Sequence, residues 1–248
     1  MKHYFLSELK KYRHRFLFST LILGVAIQLL WVAWAMNNFL FDHSPKLFFG
    51  VFEYNIATLN SLILPVLFAV LAGRITDLES KENTYRLLLI RIEPKVLYRL
   101  KTCTMLIFST LVALLQILFI SIYEKVMNNS ILYPHWEIWH FLNVFLVTSA
   151  LALFNLFFCM KFENHLLALI VGLFFGFIGF LSTLFPPIVS RLFLFTYYHE
   201  LSVVVPHYSN KDLTFTYRAF PILPSIIIIG ACILFYIIGI REFCKREF

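Results

Sequence analysis

The sequence predicts an all-α, polytopic membrane protein. The chain is 60% hydrophobic and only 14% charged, against roughly 25% charged for an ordinary soluble domain. Its apolar residues gather into six runs, each near the roughly 20 residues that a bilayer-crossing helix needs. No run alternates as a barrel strand does, so each backbone must satisfy itself as a helix. With 8 Gly, 9 Pro, no low-complexity tract and no internal repeat, the 248 residues read as a single membrane domain over 1–248.

The opening stretch, 1–15, is polar and amphipathic. It precedes the first apolar run by too many residues for a signal peptide, and no small-residue cleavage site follows, so that run is expected to stay as an anchor. Phe5, Leu9, Tyr12 and Phe16 fall on one helical stripe. The six spans are expected at 16–36, 55–73, 102–123, 141–160, 165–185 and 221–240. Pro65 is expected to kink the second. Residues 37–54 and 124–140 are rich in aromatics and His, as in "YPHWEIWH", and read as side chains at the headgroup level. Pro186 and Pro187 stop the fifth helix. The rest of 186–220 is too polar to span and too apolar to be a solvated loop, which suits a short interfacial or re-entrant helix.

An even number of spans puts both termini on one side, and the basic residues choose the side. Sixteen of the 21 Lys and Arg lie in the N-terminal segment, the 74–101 loop, the 161–164 turn and the C-terminal tail. By the positive-inside rule those segments are cytoplasmic. The net charge of +7 is then accounted for by topology and anionic lipid, and implies no nucleic acid.

Catalytic patterns are missing. There is no HExxH, no GxSxG, no GxxxxGK[ST] phosphate loop and no His and Asp cluster within a span. The cysteines Cys103, Cys159, Cys232 and Cys244 have no CxxC spacing or His partners, so no metal is expected. The polar residues within the spans, Gln28, Asn60, Ser61, Gln116, Asn143 and Asn155, are uncharged. They read as interhelical hydrogen-bond partners, or as a path or pocket for a polar group of a substrate. Buried carboxylates of the kind that drive ion-coupled carriers are not expected. The chain is not expected to be an enzyme by itself, nor to carry a cofactor of its own. Any energy it uses comes from a partner.

One segment departs from the rest. Residues 77–101, "DLESKENTYRLLLIRIEPKVLYRLK", hold ten of the chain's 21 basic and 14 acidic side chains. Leu78, Glu82, Tyr85, Leu88, Leu89 and Ile92 share one helical side, while Lys81, Thr84, Arg86 and Arg91 fall mainly elsewhere. Pro94 ends that helix, and Arg99 and Lys101 are placed to meet phosphate headgroups. Such a helix either lies on the membrane surface or enters a partner's groove. The acidic Asp77, Glu79, Glu82 and Glu93 favour the partner, since lipid binding gains nothing from them.

These residues resemble a known family. Acidic residues, then Thr84, "LLLI", Pro94 and a basic entry to Lys101 look like the coupling helix of type-two ABC exporter permeases, which sits in a cleft of the ATPase subunit. The resemblance matches Glu79, Glu82, Thr84, Leu87, Leu88, Pro94 and Lys101 to that family; with Tyr85 and Ile92 from the apolar stripe, all but Lys101 are the residues expected in ATPase docking. It makes 1–15 a connecting helix with Phe5, Leu9, Tyr12 and Phe16 as its stripe. The short chain, six spans and Ser7-Glu8-Leu9-Lys10 opening look most like lantibiotic-immunity permeases. That implies a cell-membrane subunit, paired with a second permease chain and an ATPase that binds ATP and Mg, expelling an amphipathic antimicrobial peptide from a Gram-positive producer. The path would use Gln28, Asn60, Gln116, Asn143 and Asn155. The alternative is a non-transporting scaffold or sensor that binds a peptide or partner protein.

Overall fold

In the computed structural model, the described residues are 16–39, 45–80, 93–128, 134–162, 165–181, 185, 191–209 and 212–245. They form α1 (Leu17–Phe39), α2 (Pro45–Ser80), α3 (Pro94–Asn128), α4 (Pro134–Lys161), α5 (His165–Phe180), a 3-10 turn (Leu194–Thr196), α6 (Tyr197–Glu200), a hairpin of β1 (Val204–Ser209) and β2 (Asp212–Tyr217), and α7 (Ile222–Lys245). The protein is an all-α polytopic membrane protein with one two-stranded exception. Five helices, α1 to α4 and α7, are long and apolar enough to cross a membrane, and α5 is a shorter apolar helix of 16 residues. The six equal spans expected from composition are thus five long helices and one short one.

The helices run well past their apolar cores. Prolines open α2, α3 and α4, where the missing N–H is among those a first turn leaves unpaired anyway. α2 stays helical through Pro65. At one end of the bundle, Arg74 of α2 donates to Thr20 Oγ1 of α1 (2.8 Å), and the rings of Tyr98 in α3 and Phe243 in α7 lie 6.0 Å apart. The start of α1 and the finish of α7 therefore share this charged end. The hairpin occupies the opposite end.

α2 and α4 run parallel through the centre: Asn143 reaches Glu53 and, further along, Asn155 Nδ2 donates to Pro65 O. α5 packs on α2 backbone to backbone. A Cβ added at Gly176 would lie 2.7 Å from Leu62 O, and one at Gly172 would lie 3.0 Å from Pro65 O. Small residues at i and i+4 permit this approach, which supplies dispersion contacts where lipid removes any hydrophobic drive.

The described part of 186–220 holds a short helical turn and an element that composition did not suggest. That element is an antiparallel hairpin in the register Val204↔Tyr217 to Ser209↔Asp212. β-branched and aromatic residues such as Val204, Val205, Phe215 and Tyr217 favour strands, and α2 and α4 give this segment an aromatic floor to pack on. Phe49, Trp136 and Tyr217 stack in succession with centroids 5.1 Å apart at each step. Each such pair contributes about 0.5–1.5 kcal/mol beyond its area. Arg218 closes the cap by donating to the carbonyls of Ser202 (2.9 Å), His199 (3.3 Å) and Glu200 (2.7 Å).

The headgroup-belt reading of "YPHWEIWH" is corrected for Trp136 and His140. Trp136 and His140 are buried, and Trp139 stacks on Phe220 at 4.7 Å. Trp136 and His140 are drawn inward under the cap, while His135 and Ile138 stay exposed.

Candidate functional site

The expected docking element falls largely outside the described residues. Glu82, Thr84, Tyr85, Leu87, Leu88 and Ile92 lie there, as do Phe5, Leu9 and Tyr12; Glu79 is helical in backbone, without a described side chain. Pro94 opens α3, with Val96 N and Leu97 N donating to Glu93 O.

Two neighbouring expectations change. Phe16 does not continue a helix into α1. It is an exposed joint at φ 57°, and its carbonyl takes Thr20 N, Ser19 Oγ and Thr20 Oγ1. A left-handed Phe costs about 1–2 kcal/mol, which these three bonds offset. Lys101 does not reach headgroups. It is fully buried and donates to Ile75 O at 2.9 Å, pinning α3 to α2 near the charged end, whereas Arg99 is exposed. Two residues along a helix turn it by about 200°, so Lys101 and Arg99 cannot face the same way.

What the structure does bring together is a polar seam through the bundle. Gln28 of α1 donates from Nε2 to Asn60 Oδ1 of α2 at 2.5 Å. Asn60 and Gln116 of α3 exchange bonds, with Gln116 Nε2 donating at 2.8 Å and Asn60 Nδ2 at 3.3 Å. Gln116 Oε1 faces His140 Nε2 of α4 at 3.2 Å, and His140 Nδ1 faces Glu53 Oε2 of α2 at 2.6 Å. Asn143 Nδ2 is shared between Glu53 Oε1 (3.3 Å) and Tyr198 O (3.0 Å) of the cap, and the hydroxyl of Ser202 lies near the same carboxyl. All of Gln28, Asn60, Gln116, His140, Glu53 and Asn143 are buried. Four of the five expected path residues therefore form one network; Asn155 stands apart on Pro65 O.

Glu53 and His140 were missed, and they overturn the expectation that the interior carries no charge-bearing group. The signal was present in spacing. Glu53 lies seven residues before Asn60, and His140 three before Asn143, so each pair shares a helix face. Starting the spans at 55 and 141 hid both. In hydrocarbon an ionisable side chain is costly and is retained with a partner. Here the carboxyl of Glu53 has an imidazole, an amide and a hydroxyl around it.

The cap above the seam has its own electrostatics. Burial pushes the His199 imidazole down to about 4, against the upward pull of Glu53 and Glu200, and its Nε2 has no partner among the described residues. Burial also lowers the Arg218 guanidinium from its ordinary value, with Glu200 pulling the other way. Glu200 is held by Arg191 at 3.2 Å.

Beside the seam, α1, α2 and α5 enclose an open groove. One part, about 450 Å³, is bounded by Trp31, Tyr54, Thr58 and Phe180, and the next, about 340 Å³, by Thr20, Val70, Leu173 and Phe177. Leu62 and Ile63 line both, so the groove follows α2 for about 24 Å at 1.5 Å per residue. Its walls are apolar, with Tyr54, Asn55 and Thr58 toward the hairpin end. Among the described residues no group of three or more His, Cys, Asp and Glu is arranged to hold a metal.

A family model described as ABC-2 family transporter protein matches residues 4–179. No curated protein and no solved structure matches the chain.

Proposed function

Because the chain belongs to the ABC-2 transporter family, in which it is a multi-pass membrane permease subunit working with an ATPase, we propose that it serves an exporter of amphipathic peptides, of the lantibiotic-immunity type. The observation that carries the cargo class is the groove between α1, α2 and α5. It is apolar along most of its length and has polar groups at one end. A cargo that partitions into the bilayer fits such a wall, whereas a hydrophilic solute does not.

In this reading the charged end is cytoplasmic, both termini lie there, and a second permease chain, identical or related, faces the groove across the pathway. The partner ATPase, holding ATP and Mg, docks on 78–93, and the chain itself hydrolyses nothing. Movement of the coupling segment reaches α2 and α3 through Lys101 and Ile75, whose bond joins the two helices that the segment connects.

The test is co-purification with the cognate ATPase followed by nucleotide hydrolysis in the presence of candidate peptides. Stimulation by an amphipathic cationic peptide, and its loss in a Leu62→Trp or Ile63→Trp groove variant, is the expected result. ATPase association without stimulation by any such peptide would reject the cargo assignment. Glu82→Arg or Leu88→Asp should abolish association while expression persists; association retained in both would reject the docking site.

A further inference from the structure

Both ring nitrogens of His140 face oxygen, Nδ1 toward Glu53 Oε2 at 2.6 Å and Nε2 toward Gln116 Oε1 at 3.2 Å. Against an ionised Glu53, a neutral imidazole, with its one donor and one acceptor, would leave one of these contacts opposing lone pairs. An imidazolium donates to both. The face that Gln116 shows to His140 is not independent of the rest of the seam. Gln116 Nε2 and Gln28 Nε2 both donate to Asn60 Oδ1. Turning Gln116 over to offer its NH2 to a neutral His140 sets its oxygen against Asn60 Oδ1. Asn60 must then turn, and its NH2 meets that of Gln28, which must turn as well. The three amides thus have two self-consistent arrangements, each matched to one charge state of His140. Gln28 Oε1 has no partner among the described residues in the present arrangement; in the reversed one it accepts from Asn60.

We propose that the Glu53–His140 pair is a proton-binding site, and that Gln116, Asn60 and Gln28 carry its occupancy to α1 by reversing their hydrogen bonds together. The arrangement seen is the proton-bound one. The pair sits eight residues into α2 and six into α4, roughly 10 Å from the hairpin end by helical rise, so the proton comes from water on that side. Its ionisable surroundings are few. α1 and α3 present only amides to it. The cap contributes His199, kept neutral at physiological pH by burial, Tyr217, and Glu200, which is engaged by Arg191 and by its Arg218 neighbour. On α4, Glu137 is one turn away and accepts from Ser121 Oγ at 2.8 Å. No second carboxylate competes for His140 among the described residues.

This inference does not depend on the exporter reading, because it is tested on the full-length chain alone in lipid nanodiscs. With nitrogen-15 in histidine rings and in Gln and Asn side chains, magnetic resonance should find His140 with two protonated ring nitrogens near neutral pH. Alkalinisation should remove one, and the Gln28 amide resonance should shift over the same pH interval. In Asn60→Leu the His140 change should persist and the Gln28 shift should vanish. A singly protonated His140 at neutral pH, a Gln28 shift over a different interval, or a Gln28 response that survives Asn60→Leu would each overturn the proposal. Should Asn60→Leu fail to assemble, coincidence of the two intervals in the unaltered protein decides.

Discussion

α2 and α7 are both apolar helices long enough to cross a bilayer, and α7 is the more apolar of the two. Yet 67% of the α2 span is buried in the protein and only 17% of the α7 span. α7 turns Ile226, Ile233 and Leu234 outward, and its Gly230 has nothing within 4 Å; α2 carries Glu53, Asn60, Ser61 and Pro65, and meets the glycines of α5. In a bilayer the ordinary rule is reversed. Lipid is as good a solvent for Ile as a protein core is, so polar and small residues mark the interior.

Four measurements would break or sharpen that contrast. The largest effect is expected at Glu53→Gln, which leaves His140 facing a neutral amide at depth. Removing one partner of a buried pair costs about 3–5 kcal/mol, read as a collapse of folded yield or detergent melting temperature. Replacing both Glu53 and His140 by Leu should recover much of it. Next is Gly176→Leu, where the new side chain meets Leu62 O across a gap with no room. Overpacking of this kind costs about 1–3 kcal/mol and should be visible as a lowered melting temperature, whereas Gly230→Leu on α7 should change it by less than about 0.5 kcal/mol.

A smaller effect concerns pH and the cap. His199 is neutral when folded, with its value lowered from the ordinary 6.5 to about 4. An undocked cap therefore binds a proton that the docked cap does not, so docking is full above pH 6.5 and is lost progressively as pH falls toward 4. Proteolysis of the hairpin should accelerate on acidification through that window, and His199→Gln should flatten the response. The smallest effect, indistinguishable from zero, is expected for Ile233→Leu in the lipid-facing wall.

The contrast also explains what could be read beforehand. Helices and their number of apolar runs were legible, because a hydrocarbon solvent dictates backbone pairing whatever the side chains do. Gln28, Asn60, Gln116 and Asn143 were legible as partners for the same reason: an amide in lipid needs another. Glu53 and His140 were not, since composition windows assign a helix start rich in aromatics and charge to the interface, and only the cap over them makes those two side chains interior. The hairpin escaped because Val204, Val205 and Tyr217 find their partners in a floor contributed by α2 and α4, far away in sequence. The joint at Phe16 was not legible because an apolar stripe records side-chain spacing and is silent on the backbone.

The Glu53–His140 pair also has a historical consequence. If losing either member alone costs more than losing both, a lineage that changes them one at a time passes through a poorly folded intermediate. Relatives of this chain should hold the acid and the imidazole together or lack both. A carboxylate at position 53 without a histidine at 140 should be rarer than independent drift would give.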